Sequence, residues 1–224
     1  MSRSFYSESG KRWFDVILAL LGLLLLSPLL LMAAIAVKLD SPGPFFFLQE
    51  RTGRYGKFFR IIKFRTMRQA DRTDAPLITA SGDSRITRVG RLLRKTKVDE
   101  LPQLFNVLAG EMSLVGPRPE VPKYTRLYSS DQKRVFLERP GITSPAALAC
   151  VNEEETLSAQ DDPEGFYVHV LMPEKLELDL AYCRNMSALE DVRLICGTLM
   201  QLLTRRKPEN RAKSKLAAHA EEAT

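Results

Sequence analysis

Asp99 and Glu100 stand side by side directly after a run of cationic side chains: Arg85, Arg88, Arg91, Arg94, Lys95 and Lys97. The pair precedes a helical segment, QLFNVL, with Asp99 a plausible N-cap and Pro102 in the first turn. Unpaired N–H groups at a helix start favour an anion, so Asp99 should stay ionised there. The same groups, with the arginines nearby, could bind a phosphate. A carboxylate beside a bound phosphate can act as a nucleophile and form an acyl phosphate. It can equally hold Mg²⁺, which takes carboxylate oxygens together with substrate phosphate oxygens. Simple capping is the commoner role of such a pair.

Other cations fit the same chemistry. Arg118 lies in Gly116-Pro117-Arg118-Pro119, where two prolines stiffen the turn and reduce the entropy lost when the guanidinium clamps a phosphate. Lys63 and Arg65, two apart in Lys63-Phe64-Arg65-Thr66-Met67, would share one face of a strand. The only histidines are His169 and His219, the latter in a polar tail, so a catalytic triad or a histidine metal site fits this sequence poorly. Cys150, Cys183 and Cys196 are odd in number and widely spaced, which gives neither a disulfide framework nor a zinc pattern. They read as reduced, partly buried thiols of a cytosolic working domain.

These groups need an element that brings them to their substrate. Residues 16–37, VILALLGLLLLSPLLLMAAIAV, carry no charge. At about 1.5 Å per residue a straight helix of this length reaches roughly 33 Å, enough to cross a bilayer. Ser27-Pro28 interrupts it: proline removes a helical N–H and clashes with the carbonyl of Leu24, whereas the Ser27 hydroxyl could satisfy a freed backbone group. The break leaves two arms of roughly 15–18 Å, each too short to span. Arg3, Lys11 and Arg12 precede the segment and Lys38, Arg51, Arg54 and Lys57 follow it, so neither end is marked as outside. A re-entrant helix-break-helix, entering and leaving by one face, resolves that conflict. A kinked single span is the commoner use of such a segment.

The remainder reads as a small α+β domain. Residues 44–50 and 58–64 are aromatic and β-branched around a glycine-containing linker, which predicts a hairpin. Residues 69–83 read as a polar loop. Residues 84–97 predict an amphipathic helix with Ile86, Val89, Leu92 and Leu93 on one face and cations on the other, the composition of a helix lying on an anionic surface. A solvated face is the plainer reading. Helical patterns follow at about 120–137, 172–184 and 187–204. The domains are therefore 1–40, a membrane-embedded re-entrant helix; 41–204, the working domain; and 205–224, a polar, disordered tail.

Charge agrees with this division. The net charge is +6 and the pI about 9.3. Residues 41–100 hold fourteen Lys and Arg against six Asp and Glu, and residues 141–200 hold three against eleven. The positive field is concentrated just after the apolar segment, where a membrane surface or phosphate site would use it. A nucleic-acid partner fits poorly with an apolar anchor and an acidic C-terminal region.

The ordered strings Ser27-Pro28, Ser41-Pro42-Gly43-Pro44, Lys63-Phe64-Arg65-Thr66-Met67, Thr87-Arg88-Val89-Gly90-Arg91, DELPQLFNV at 99–107, SLVGPRP at 113–119 and RPGIT at 139–143 together resemble the bacterial sugar transferases, or monotopic phosphoglycosyl transferases. The resemblance covers roughly residues 10–200 and looks like the minimal form. It implies transfer of a phosphosugar from a UDP-sugar to a polyprenol phosphate, such as undecaprenyl phosphate, with release of UMP, as the first lipid-linked step of glycan assembly. It also implies a re-entrant helix, a bacterial inner-membrane location with the working domain facing the cytoplasm, and a catalytic and Mg²⁺-binding dyad at Asp99 and Glu100. One departure stands out: Ser144-Pro145 follows the PGIT string where many members have Gly-Leu or Gly-Trp. Family contacts with sugar or nucleotide are therefore not carried over there.

The expected chemistry is a two-step exchange. Asp99 attacks the sugar-bearing phosphorus, and polyprenol phosphate then attacks the phospho-aspartate. Lys63, Arg65, Arg88 and Arg118 are the expected phosphate contacts, and Glu100 either binds metal or accepts a proton. A ternary-complex transferase using Asp99 only for metal is one rival. A non-enzymatic adaptor binding anionic lipid is the other. The anchor could pair with a second copy in a homodimer, though no residue specifies it.

Overall fold

One helix, α1 (Lys11–Asp40), opens the computed structural model, which describes Tyr6 and residues 10–68, 83–150 and 153–204. Its most apolar 18-residue window has a mean hydropathy of 2.7, and it is long and apolar enough to cross a membrane by length and composition. The expected helix-break-helix is corrected: α1 continues through Pro28 as a single helix. The Ser27 hydroxyl donates to the Leu24 carbonyl at 2.9 Å, the group proline leaves without its usual donor. The buried face is narrow. It comprises Lys11, Asp15, Ala19, Ala33 and Val37, whereas Leu24, Leu25, Leu31 and Met32 are exposed. Four-residue spacing within each half keeps those buried positions on one side.

The hairpin forms as expected but two residues later in its first strand. β1 (Phe46–Thr52) pairs antiparallel with β2 (Phe58–Phe64), with Phe46 opposite Phe64 and Thr52 opposite Phe58. Pro42 and Pro44 delay the start, because proline cannot donate to the ladder. Phe59 and Ile61 turn inward onto Ala19, Leu104, Val107 and Met112, joining the sheet to the first half of α1.

The basic helix, α2 (Arg88–Thr96), begins four residues later than its pattern suggests. The Thr87 hydroxyl caps it by accepting from the Gly90 N–H at 2.9 Å, while Arg85 stays outside, paired with Asp83. Val89 and Leu93 pack on Ala33 and Val37 of α1, but Leu92 faces outward with the cations. Gly90 is required by closeness: a Cβ there would lie 2.1 Å from the Thr66 carbonyl oxygen. Lys97 ends α2 in a left-handed conformation, φ 56, and turns the chain into a 3-10 turn at Val98–Glu100 and then α3 (Gln103–Ala109).

β3 (Ser113–Val115) lies parallel to β4 (Gly141–Thr143). Where Gly116 passes the second segment, a Cβ would sit 2.3 Å from the Arg139 carbonyl oxygen. The expected helix over 120–137 is corrected to α4 (Pro122–Thr125) and a 3-10 turn at Gln132–Leu137. Between them Ser129 and Gln132 bond each other's backbone N–H groups with their side chains, which competes with helix formation. α5 (Pro145–Ala149), α6 (Glu153–Ser158) and α7 (Pro163–Phe166) are short. α8 (Met172–Arg184) and α9 (Ala188–Thr204) coincide with their sequence patterns. Tyr124, Tyr128, Tyr167, Leu171 and Leu176 form a second core beneath α8. The mixed helical domain with a small hairpin is as expected. Most of the predicted loop at 69–83 and the whole tail at 205–224 lie outside the described residues.

Candidate active site

Asp99 and Glu100 sit in the 3-10 turn between α2 and α3, both shielded from solvent, and their surroundings differ. Glu100 Oε1 accepts from Lys63 Nζ at 2.7 Å and from Arg118 Nη2 at 3.0 Å. Burial alone would push the Glu100 carboxyl up. Arg118, Lys63 and Lys97 outweigh it and hold the group well below the usual carboxylate range. The Glu100 charge in turn raises Arg118. Lys63 moves the other way: burial lowers it more than Glu100 restores, and Arg118 and Arg51 lower it further.

Asp99 is 8% exposed, and its Oδ1 finds no hydrogen-bond partner among the described residues. Burial first, and the Glu100 charge second, push its carboxyl above the ordinary 3.8, with Lys63, Lys97 and Arg94 pulling part of the way back. The N-cap expected of Asp99 is corrected. The turn is 3-10, Pro102 precedes the first residue of α3, and no side chain caps that helix. An unmade cap leaves the carboxylate oxygen free for something else.

The cations divide. Lys63 in β2 and Arg118 after β3 converge on the dyad. Arg65 does not. Its Nη2 donates to the Ser41 carbonyl at 2.7 Å, the Ser41 hydroxyl at 2.9 Å and the Val37 carbonyl at 3.4 Å, at the C-terminal end of α1. β2 ends at Phe64, so strand alternation no longer governs Arg65. Arg88 is exposed in the first turn of α2, near Asp40. Ser27 and Pro28 lie mid-way along α1, away from the dyad in the chain.

Two positions matter that residue type did not single out. Asn106, 1% exposed, accepts from the Ile62 N–H at 3.0 Å and donates to the Arg60 carbonyl at 2.8 Å and to Glu111 Oε2 at 2.7 Å. It thereby fixes β2, and Lys63 with it, against α3. Arg51 Nη1 donates to the Pro119 carbonyl at 3.1 Å and to Glu120 Oε1 at 3.2 Å, bracing the turn that carries Arg118. Asn106 lies in the DELPQLFNV string and Arg51 among the cations after the apolar segment, but their roles here were not legible, because the contacts that define them, to Ile62 and Arg60 and to Pro119 and Glu120, lie far along the chain.

A free, buried carboxylate oxygen beside cations that can meet phosphate is a donor set suited to Mg²⁺, which commonly uses one or two protein carboxylates and takes its other oxygens from substrate and water. Among the described residues no group of three or more acidic, histidine or cysteine side chains is close enough to hold a metal by itself. The phosphate oxygens of a substrate would complete the set.

Residues 6–205 match the family model described as bacterial sugar transferase. The chain belongs to the bacterial sugar transferase family. It is 40% identical over 199 residues to the UDP-glucose:undecaprenyl-phosphate glucose-1-phosphate transferase of Caulobacter vibrioides, covering 87% of this chain and 70% of the relative. It is 39% identical over 206 residues to the exopolysaccharide production protein PSS of Rhizobium leguminosarum bv. phaseoli, covering 88% and 96%. A third relative is the UDP-N-acetylgalactosamine-undecaprenyl-phosphate N-acetylgalactosaminephosphotransferase of Aeromonas hydrophila, 38% identical over 194 residues. The match covers 87% of this chain but 44% of that relative, so this sugar transferase family member spans less than half of it.

Proposed function

We propose that the chain transfers a phosphosugar from a UDP-sugar to a polyprenol phosphate, undecaprenyl phosphate being the acceptor named for the relatives, and so begins a lipid-linked glycan. The observation that carries this reading is the contrast within the dyad: Asp99 keeps an unpartnered oxygen, while Glu100 is neutralised by Lys63 and Arg118. An Asp99 oxygen attacks the phosphorus that bears the sugar. The phosphoanhydride bond to the uridylyl phosphate breaks, and UMP leaves with the bridging oxygen and the electron pair. A phosphate oxygen of the polyprenol phosphate then attacks the aspartyl phosphorus. The bond to Asp99 breaks, the carboxylate is restored, and a polyprenyl diphosphosugar is released.

Raising the proton affinity of Asp99 makes its ionised form a better nucleophile toward phosphorus. Lys63 and Arg118 lie where they can exchange part of their hold on Glu100 for the incoming diphosphate. Mg²⁺, held by Asp99 and Glu100 together with substrate oxygens, would supply positive charge to the diphosphate. The low proton affinity of Glu100 favours a charge-balancing role for it over that of a base.

The same reading places α1 as a re-entrant helix of the bacterial inner membrane, with residues 41–204 on the cytoplasmic side. One domain grips both of its ends, which supports this. Near the start, Arg12 donates to the Val107 and Leu108 carbonyls and Asp15 accepts from the Leu114 N–H. Near the end, Asp40 accepts from the Val89 N–H and Val37 packs on Phe64 and Leu93. A hydrocarbon layer cannot lie between two contacts made by one compact unit.

The test is UMP release in detergent with Mg²⁺ and polyprenol phosphate across a panel of UDP-sugars, comparing the native chain with Asp99→Asn. UMP from one donor, lost in the variant, is expected. Full turnover by Asp99→Asn would remove the nucleophile. A chain that only bound anionic lipid through α2 would release no UMP.

A further inference from the structure

Pro117 and Pro119 have no N–H, so Arg118 supplies the sole backbone donor of the Pro-Arg-Pro turn. That donor is bonded to Asp179 Oδ2 at 2.9 Å. The other oxygen, Oδ1, accepts from the Ala146 N–H at 3.2 Å, two residues beyond Ser144. Asp179 projects from α8 and is 3% exposed. A carboxylate buried this deeply is costly unless its acceptor sites are filled, and here both oxygens are used by separate segments of chain. An amide at this position would offer only one acceptor.

We propose that Asp179 is a positioning residue for phosphosugar transfer, acting through Arg118. The two prolines limit the backbone of the turn, and the remaining freedom is rotation about Arg118 itself. Holding the Arg118 N–H sets the direction of its Cα–Cβ bond and thus the reach of the guanidinium to Glu100. Packing supports this hold: three residues along α8, Tyr182, whose hydroxyl donates to Asp191 Oδ1 at 2.5 Å, packs against Val115 at the end of the strand that feeds the turn. Asp179 also ties the turn to the start of α5, where Ser144 caps the helix by accepting from the Ala147 N–H. The Ser144-Pro145 sequence is thereby joined to the arginine at the dyad. None of this touches the reacting phosphorus, so a positioning residue is the correct term.

This inference rests on the transferase reading and is tested by a double-mutant cycle on the full chain in detergent, read as UMP release. Asp179→Asn is expected to lower kcat/KM by about 10- to 100-fold, the scale of a small misplacement of a binding group. In an Arg118→Ala background the same substitution is expected to change kcat/KM by less than about twofold, because the side chain it positions is gone. Its lowering of Tm should be the same in both backgrounds. Equal losses of kcat/KM in the two backgrounds, or no loss in the native one, would overturn the role. If the Asn variant does not fold, Asp179→Glu keeps both acceptor oxygens but displaces the turn, and is judged by the same two outcomes. Absence of UMP from the native chain itself would remove the transferase reading, and this role with it. The two failures are therefore distinguishable.

Discussion

Asp99 and Glu100 are neighbours in the chain with opposite proton affinities, and the cause is local. Glu100 faces two cations at hydrogen-bonding distance, whereas Asp99 has burial and a like charge beside it. Asp99→Asn should therefore lower turnover by at least about three orders of magnitude, as loss of a nucleophile does. It should also stabilise the fold by about 1 kcal/mol, because a neutral amide removes the cost of burying a charge next to Glu100. The pH dependence follows from the signs. The folded pKa of Asp99 is raised, so its penalty is complete above that pKa and fades as pH falls through it toward 3.8. The folded pKa of Glu100 is lowered, so its contribution is complete above 4.5 and is lost as pH falls toward the folded value. Thermal melts from neutral pH to about pH 4 should show the advantage of Asp99→Asn shrinking with acid. An advantage that grows in acid would contradict the assignment.

The elements that deliver these residues were legible in the sequence to different degrees. Aromatic and β-branched runs around glycines located the hairpin, and the apolar period of α8 and α9 located both helices, because those signals are local. Residues 120–137 misled because Ser129 and Gln132 satisfy backbone groups with side chains. Arg65 misled because its partners, Val37 and Ser41, stand more than twenty residues earlier. Residue type pointed to Lys63 and Arg118 as anion binders, but their meeting on Glu100 depends on contacts 37 and 18 residues apart in the chain. Asn106 stood in the DELPQLFNV string with no role of its own, yet it ties β2 to α3 through the Ile62 N–H and the Arg60 carbonyl. Asn106→Ala should cost about 2–3 kcal/mol through the unpaired backbone groups of Ile62 and Arg60, measured by thermal or chemical unfolding in detergent. It should also weaken turnover by displacing Lys63. A variant of native stability would show that β2 is held by packing alone.

For the whole molecule, α1 combines a narrow buried face with a broad exposed apolar one, and the same domain meets both ends of it. The proline that could divide the segment in sequence is carried within a continuous helix in the fold. The apolar composition is thus plain from the sequence, and its relation to the domain is not, because that depends on Arg12, Asp15 and Asp40 finding distant backbone partners. A re-entrant placement predicts that Ser2→Cys and Lys57→Cys, each introduced singly into a chain with its native cysteines replaced, resist an impermeant maleimide in intact cells. Both should react once the membrane is opened. Labelling of Ser2→Cys alone in intact cells would show that α1 spans.

The most direct measurement is the mass of the intact protein after incubation with Mg²⁺ and its UDP-sugar, without polyprenol phosphate. A single phosphosugar adduct is expected, formed with an equal amount of UMP, absent from Asp99→Asn and discharged when polyprenol phosphate is added. UMP formed only when both substrates are present, with no adduct at any time, would contradict the covalent exchange and leave Asp99 as a charge-bearing group in a single displacement.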